Sequence, residues 1–163
     1  IAVNVAATEL QQADFLDRVR NIIEKTGMEP NYLEIEITDN SILYNTEECI
    51  DRMRQLREMG ISLAIDDFGT GYSSMGYLPK FPINVLKIDQ SFIRDICSGD
   101  GNEEIIKAMI QLAHTFGLKV VAEGVEQETA LSFIRNEKCD YYQGYFFSRP
   151  LEPGILEEQL LLN

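Results

Sequence analysis

The sequence predicts an α/β fold with parallel strands, and two observations support this prediction. Short apolar runs typical of buried strands alternate with stretches whose apolar residues recur at helical spacing. Polar residues recur at the carboxyl ends of the apolar runs. With 163 residues, 45% of them hydrophobic, the chain is long enough for one domain with a substantial core. Because strands that alternate with helices usually pair in parallel, we expect a single α/β domain.

Six apolar runs are predicted to form strands, because they are short and rich in branched apolar residues. In chain order they are IAVNV (1–5), LEIEIT (33–38), ISLAI (61–65), VLKI (85–88), LKVVAE (118–123) and the weaker YYQGY (141–145).

Five segments are predicted to form helices. The first, at 14–25, carries Phe15 and Val19 on one face and stops at Gly27. The second follows Asn45, a potential cap, and ends at Gly60. The other three are predicted at 103–116, 127–135 and 154–162.

Charge and cysteine content exclude several functions. Acidic residues outnumber basic ones by 27 to 14, so the net charge of −13 would repel long nucleic acids and anionic membranes. An anionic ligand would therefore need cations placed beside it. Three widely spaced cysteines suit neither a disulfide scaffold nor a cysteine-rich zinc site, which favours a reducing, cytoplasmic location. The single histidine, His114, is interpreted as a packing or hydrogen-bonded residue rather than a base.

Polar residues lie near the carboxyl ends of the predicted strands, where the side chains of a (β/α) barrel converge on the barrel axis. Any one of them could be a helix cap or a solvated strand end, but together they indicate a functional site. These residues are Asn4, Glu36, Asp66 with Asp67, Lys87, Glu123 and Gln143.

The sharpest local motif is DDFGTGYSS at 66–74, in which two adjacent carboxylates end a strand and two glycines permit a tight turn. Adjacent carboxylates can bridge two hard cations ~3.5–4 Å apart, the arrangement used to cut phosphodiesters. The alternative is a purely structural Asx turn. The glycines do not form a dinucleotide-binding fingerprint, because Ser74 stands where the third glycine belongs.

Lys87 and Glu123 are the other candidates for chemistry. Lys87 lies in the apolar run VLKID, so its ammonium must face a charged or solvated cavity, where it could orient a water or steady a phosphate oxygen. A structural ion pair is the alternative. Glu123 could bind a metal or act as a base, whereas Glu126 is interpreted as a structural partner.

The chain resembles the EAL family of cyclic di-GMP phosphodiesterases over essentially its whole length. The family's blocks occur in family order as VNVAA, EIEITDN, DDFGTGYSS, LKID, AEGVE and QGYFFSRPL. The resemblance implies a modified (β/α) TIM-type barrel with two divalent cations, Mg²⁺ or Mn²⁺, that hydrolyses cyclic di-GMP to linear pGpG in bacterial signalling. It also implies a homodimer and an upstream sensory or GGDEF domain, through which the parent protein could be anchored to a membrane.

The resemblance also assigns roles to single residues. It implies that Lys87 positions the nucleophilic water, that Gln143 completes the site near metal or substrate, and that Asp39 anchors the loop after the aspartate pair. Glu123 would be a metal ligand or the general base. The implied metal ligands are Asn4, Glu36, Asp66, Asp67 and Glu123.

Two departures from the family pattern affect these expectations. The Glu-Ala-Leu motif is absent and only six strands are predicted where a barrel has eight, so we expect 1–163 to be the C-terminal part of a domain truncated before Ile1 and nearly inactive alone. Asp39 stands where the family usually has Glu, which puts a shorter side chain at the loop anchor. A non-catalytic cyclic di-GMP receptor is the alternative function, but the intact aspartate pair, lysine and late glutamate favour the enzyme.

Overall fold

The computed structural model describes residues 1–38, 46–70, 78–98 and 102–161, and within them six strands form one parallel sheet. The strands are hydrogen-bonded in sequence order, which is the order of a (β/α) barrel. Each lies within the range predicted for it or, for β3, extends past it by three residues. They are β1 Ala2–Asn4, β2 Glu34–Thr38, β3 Ser62–Phe68, β4 Val85–Ile88, β5 Lys119–Glu123 and β6 Tyr141–Gln143.

Helices connect the strands, and short 3₁₀ turns at Pro30–Tyr32 and Leu78–Lys80 lead into β2 and towards β4. The five predicted helices are confirmed, whereas α1 and α4 were not predicted. The helices are α1 Ala7–Leu10, α2 Phe15–Thr26, α3 Thr46–Glu58, α4 Gln90–Ser98, α5 Glu103–Thr115, α6 Glu128–Asn136 and α7 Pro153–Leu161.

The N-terminal cap of α4 is Asp89, whose Oδ1 accepts a hydrogen bond from the Ser91 backbone N–H at 2.9 Å. This arrangement satisfies one of the amide groups that a helix start leaves free. Ile93 is buried on the inner face of the helix. Helix α4 could therefore have been predicted from the sequence, because Asp89, a residue type that commonly caps helices, directly follows the VLKI strand.

The hydrophobic core lies between the sheet and the helices that cover it. The central strand β4 is buried along its whole length, which explains why it reads as a continuous apolar run rather than an alternating one. Leu56 of α3, Ile110 of α5 and Ile134 of α6 are fully buried in the same core as Leu86.

The sheet is open, with β1 and β6 at its two edges. Ile1 and Val3 are exposed at the β1 edge, and Tyr141 is exposed on β6. The protein therefore forms an incomplete TIM-type barrel, as predicted. In the part of the chain that the structure describes, no helix combines the length and apolar character needed to cross a membrane.

A charged cluster lies at the amino-terminal ends of the strands, opposite the end where the predicted site residues lie. Asp140 Oδ2 lies 2.8 Å from His114 Nε2 and accepts a hydrogen bond from the Val120 backbone N–H at 3.0 Å. Lys119 Nζ donates to Asp140 Oδ1 at 2.6 Å. Burial acts to raise the pKa of Asp140, but hydrogen bonds from Lys119 and His114 outweigh it and lower the pKa to about 2. His114 thus joins α5 to the start of β6.

We expect Asp140→Asn to lower the free energy of unfolding by about 1–3 kcal/mol near neutral pH, because the charged hydrogen bonds are lost. A depressed pKa stabilises the fold above the unfolded-state value, ~3.9, and this contribution disappears as pH falls towards 2. The difference between wild type and variant should therefore shrink between about pH 4 and pH 2 in urea titrations. Asp17→Asn, which breaks an exposed pair with Arg20, is the control and should show no such pH-dependent difference.

Candidate metal and active site

The carboxyl ends of four neighbouring strands converge on the ammonium group of Lys87. Lys87 Nζ lies 2.9 Å from Glu36 Oε1, 2.9 Å from Asp66 Oδ1 and 2.8 Å from Glu123 Oε1. Because β2 to β5 are consecutive in the sheet, each strand delivers one of these residues to the same point. Lys87 is only 4% exposed, and Glu36 and Asp66 are also buried.

The charge of Lys87 is stabilised by its partners in spite of burial. Desolvation acts to lower the pKa of the ammonium, but hydrogen bonds to Glu123, Glu36 and Asp66 raise it above its usual value. Lys87 is therefore a permanent cation at neutral pH. It can donate hydrogen bonds and stabilise negative charge, but it cannot accept a proton.

The pKa of Glu123 is raised above its usual value. Burial is the largest cause; Lys87 acts to lower the pKa, and the neighbouring Asp66 and Glu36 carboxylates act to raise it. A carboxylate with a raised pKa is a stronger base, so Glu123 is suited to accept a proton as well as to bind a cation.

A β-bulge turns Asp66 and Asp67 towards the same place. In a regular strand, adjacent side chains point to opposite faces. Between β3 and β4, however, Ile65 pairs with Leu86 and Phe68 pairs with Ile88, so β3 has one extra residue. Asp67 absorbs the irregularity in the left-handed region with φ 55°. Carboxylate oxygens of Asp66, Asp67 and Glu123 consequently lie within 4.8 Å of one another.

These three residues could hold a divalent metal ion. The donors are all carboxylate oxygens, which suit hard cations such as Mg²⁺ and Mn²⁺. The pKa of Asp67 is raised by burial and by the nearby Asp66 and Asp89 carboxylates. A bound cation would offset this repulsion, so the donor set fits the metals that the sequence predicted.

The remaining predicted residues take different positions around this cluster. Asn4, exposed at the end of β1, is the register partner of Glu36, and Gln143 at the end of β6 is the register partner of Glu123. Glu36 contacts Lys87 but is not one of the three clustered carboxylates. The predicted loop anchor Asp39 lies outside the described residues.

A cavity of about 240 Å³ opens beside the clustered carboxylates. Only glycine fits after Gln143 on its wall, because a Cβ at Gly144 would lie 2.2 Å from the Val125 carbonyl oxygen. The cavity is lined by Asp67, Asp89, Gln90, Arg94, Glu123, Gly124, Glu126, Gln143, Gly144 and Tyr145.

The sequence analysis did not identify Asp89 or Arg94 as site residues. Asp89 caps α4, and its carboxylate lies near enough to that of Asp67 to act to raise the Asp67 pKa. The sequence did contain an indication that Asp89 belongs to the site, because it lies two residues after Lys87, at the carboxyl end of the same strand. Arg94 has no sequence signal of its own, because only the packing of α4 beside β5 brings it to the cavity. Glu126 lies 3.8 Å from Arg94 across an exposed ion pair.

The turn after Asp67 depends on Gly69. Its φ is +99°, and an added Cβ would lie 2.6 Å from Met109 Cε and 2.8 Å from the Phe92 ring. The methionine end can move, but the ring packs against the core and has less freedom. Gly69 thus lets the aspartate-bearing strand end lie directly on α4 and α5.

We expect Gly69→Ala to lower the free energy of unfolding by about 1–3 kcal/mol more than Gly117→Ala does. Gly117 is a matched control, because its φ is also positive at +72° but no atom lies within 4 Å of an added Cβ. Urea denaturation of the two variants separates crowding from backbone strain. Equal losses of stability would show that Gly69 is required only for its backbone conformation.

A parallel sheet whose strands pair in sequence order, with an acidic cluster at their carboxyl ends, is the arrangement of a (β/α)-barrel protein with its site in the usual place for that fold. The family is given by a match of residues 1–150 to the model of the EAL domain. The chain belongs to the EAL domain family, which confirms the resemblance.

Two curated relatives come from Pseudomonas aeruginosa. The chain is 47% identical over 160 residues to the cyclic di-GMP phosphodiesterase NbdA, covering 98% of this chain and 20% of that protein. It is 38% identical over 163 residues to the bifunctional diguanylate cyclase/cyclic di-GMP phosphodiesterase MucR, covering 100% of this chain and 23% of that protein. The chain therefore spans about a fifth of the length of these relatives.

Solved structures of EAL proteins have the same fold. The PaMucR phosphodiesterase in complex with c-di-GMP matches with a TM-score of 0.91 and 37% identity over 96% of this chain and 63% of that chain. The EAL domain of Mycobacterium smegmatis DcpA matches with a TM-score of 0.93 and 34% identity, covering 99% of this chain and 72% of that chain. Klebsiella pneumoniae BlrP1 with manganese and cyclic di-GMP at pH 9.0 matches with a TM-score of 0.82 and 28% identity, covering 91% of this chain and 38% of that chain.

Proposed function

We propose that this chain carries the metal and active-site residues of a phosphodiesterase that hydrolyses cyclic di-GMP to linear pGpG. The observation that carries the proposal is the convergence of Glu36, Asp66 and Glu123 on Lys87, with Asp67 turned into the same cluster. The names of the relatives NbdA and MucR and the c-di-GMP complex of PaMucR support the choice of substrate.

The proposed metals are two Mg²⁺ or Mn²⁺ ions, and the manganese complex of BlrP1 supports this choice. When bound, the ions would polarise the phosphodiester and lower the pKa of a water. Asp66 would be the ligand shared by both ions, because its carboxylate clusters with those of Asp67 and Glu123 and also shares the Lys87 ammonium with Glu36. The proposed ligands are Asn4, Glu36, Asp66, Asp67 and Glu123.

Lys87 and Glu123 have separate proposed roles in the reaction. Without metal, carboxylates on three strands surround the Lys87 ammonium. Cations bound to these carboxylates would replace those contacts and leave the ammonium at the site to orient the attacking water or a phosphate oxygen. Glu123 would accept the proton of that water or serve as a ligand, because its carboxylate contacts the Lys87 ammonium and clusters with those of Asp66 and Asp67. Gln143, which lines the cavity at the end of β6, would contact metal or substrate.

We further propose that 1–163 form the C-terminal part of one EAL-type domain, with the Glu-Ala-Leu segment supplying a further metal ligand. The exposed apolar edge of β1 and the incomplete coverage of the PaMucR and DcpA chains support this proposal. A cytoplasmic site of action, a homodimer and an additional sensory or GGDEF domain remain predictions of the same kind. The name of bifunctional MucR supports an added domain.

The test is an assay of the full-length protein with cyclic di-GMP in Mg²⁺ or Mn²⁺, with EDTA as the control. We expect linear pGpG to accumulate only with metal, as followed by chromatography and mass. Tight binding of cyclic di-GMP without turnover in either metal would favour the non-catalytic receptor instead. Neither binding nor turnover would contradict both functions.

A further inference from the structure

The cavity beside the proposed metal cluster extends beyond the metal ligands to the start of α4. One part of its wall is formed by Asp67 and Glu123, and another by Arg94 and Glu126. A ligand bound to metal at the first part could therefore reach the second. A cyclic dinucleotide has two phosphodiesters, of which one is cut, so its other phosphate needs a binding site of its own.

The charge of this wall is unfavourable for a second phosphate. Asp89 and Glu126 add negative charge beyond the proposed ligands. Among the described residues that line the cavity, Arg94 is the only cation. Lys87 is not among the residues that line this cavity, because its ammonium lies within the carboxylate cluster. Among the described lining residues, Arg94 is therefore the one that can pair with an anionic group entering the cavity.

Within the described residues, the guanidinium of Arg94 has only a weak partner. Its nearest ion pair joins Nη2 to Glu126 Oε1 at 3.8 Å, which is longer than a hydrogen bond. The two side chains are 60% and 45% exposed, so this pair is weak. In the part of the chain that the structure describes, no hydrogen bond occupies the donors of the guanidinium. A planar guanidinium can bind two oxygens of one phosphate.

We propose that Arg94 binds the phosphodiester of the substrate that is not cut, and so selects a ligand with two phosphates. This inference rests on the proposed function. It assigns Arg94 to substrate binding and not to metal binding or chemistry. The helix α4 is thereby a substrate-binding element.

The test is steady-state hydrolysis of cyclic di-GMP by the full-length wild type, Arg94→Ala and Arg94→Lys. We expect Arg94→Ala to raise KM about tenfold or more while kcat changes less than about twofold. The Mg²⁺ concentration for half-maximal rate should stay the same. Arg94→Lys should restore part of the affinity, because it keeps the charge but loses the planar fork. KM should also depend less on salt in Arg94→Ala than in wild type.

The matched control is Arg20→Ala, which removes an exposed arginine paired with Asp17 on α2 and should leave KM unchanged. An unchanged KM in Arg94→Ala, with wild type active, would overturn the inference alone. A parallel shift in Mg²⁺ dependence would assign Arg94 to the metal site instead. A raised KM with unchanged salt dependence would indicate a contact to the guanine base. An inactive wild type would contradict the proposed function, and the inference with it.

Discussion

Asp66→Asn is expected to lower cyclic di-GMP turnover by on the order of 10²–10³-fold or more and to weaken metal binding. Asp66 contacts Lys87 at 2.9 Å and shares the three-carboxylate cluster with Asp67 and Glu123. Asparagine keeps the shape of the side chain but removes one negative charge from a site that is proposed to hold two dications. The change therefore affects metal binding more than folding.

The measurement is kcat over a range of Mg²⁺ or Mn²⁺ concentrations, with metal affinity determined by calorimetry. Asp51→Asn is a suitable control, because Asp51 is exposed on α3 and bonds only Gln55 among the contacts described for it. Normal turnover by Asp66→Asn at unchanged metal affinity would show that Asp66 is not a shared ligand.

Lys87→Met is expected to have two separate effects. It leaves the buried carboxylates of Glu36, Asp66 and Glu123 without their cation, so the metal-free protein should lose about 3–5 kcal/mol of stability. Divalent metal should restore part of that loss, because it supplies positive charge to the same cluster. At saturating metal, kcat should still be lower by ~10²-fold, because no donor remains to orient the water.

Urea unfolding with EDTA and with Mg²⁺, together with kcat at saturating metal, separates these effects. Lys119→Met removes a lysine at the opposite end of the sheet and should retain turnover. If Lys87→Met is destabilised but has normal kcat with metal, Lys87 is a structural counterion and has no part in the reaction.

The strands and their polar ends could be predicted because both depend on local sequence. VLKI and LKVVAE are apolar runs with a charged residue at or near the carboxyl end, and a parallel sheet brings such ends together. The prediction that Lys87 faces a charged cavity followed from the cost of burying an unpaired ammonium. Which carboxylates surround it depends on strand order, which the sequence alone did not specify.

Other features depend on contacts between elements distant in sequence. The bulge at Asp66 and Asp67 exists only relative to the register of β4, so no pattern within DDFGTGYSS reveals it. Arg94 reaches the cavity through the packing of α4 beside the end of β5. Asp89 could have been identified, because a strand followed directly by a capping residue is a local signal for a helix.

The central claim is that the clustered carboxylates hold two divalent cations against one phosphodiester of cyclic di-GMP. Anomalous diffraction from crystals of the full-length protein with Mn²⁺ and cyclic di-GMP tests it most directly. We predict two manganese peaks about 3.5–4 Å apart, with Asp66 bound to both and Asp67, Glu36 and Glu123 among the other ligands. Bound nucleotide with no manganese at Asp66, or with the Lys87 ammonium still between the carboxylates in place of metal, would contradict the account.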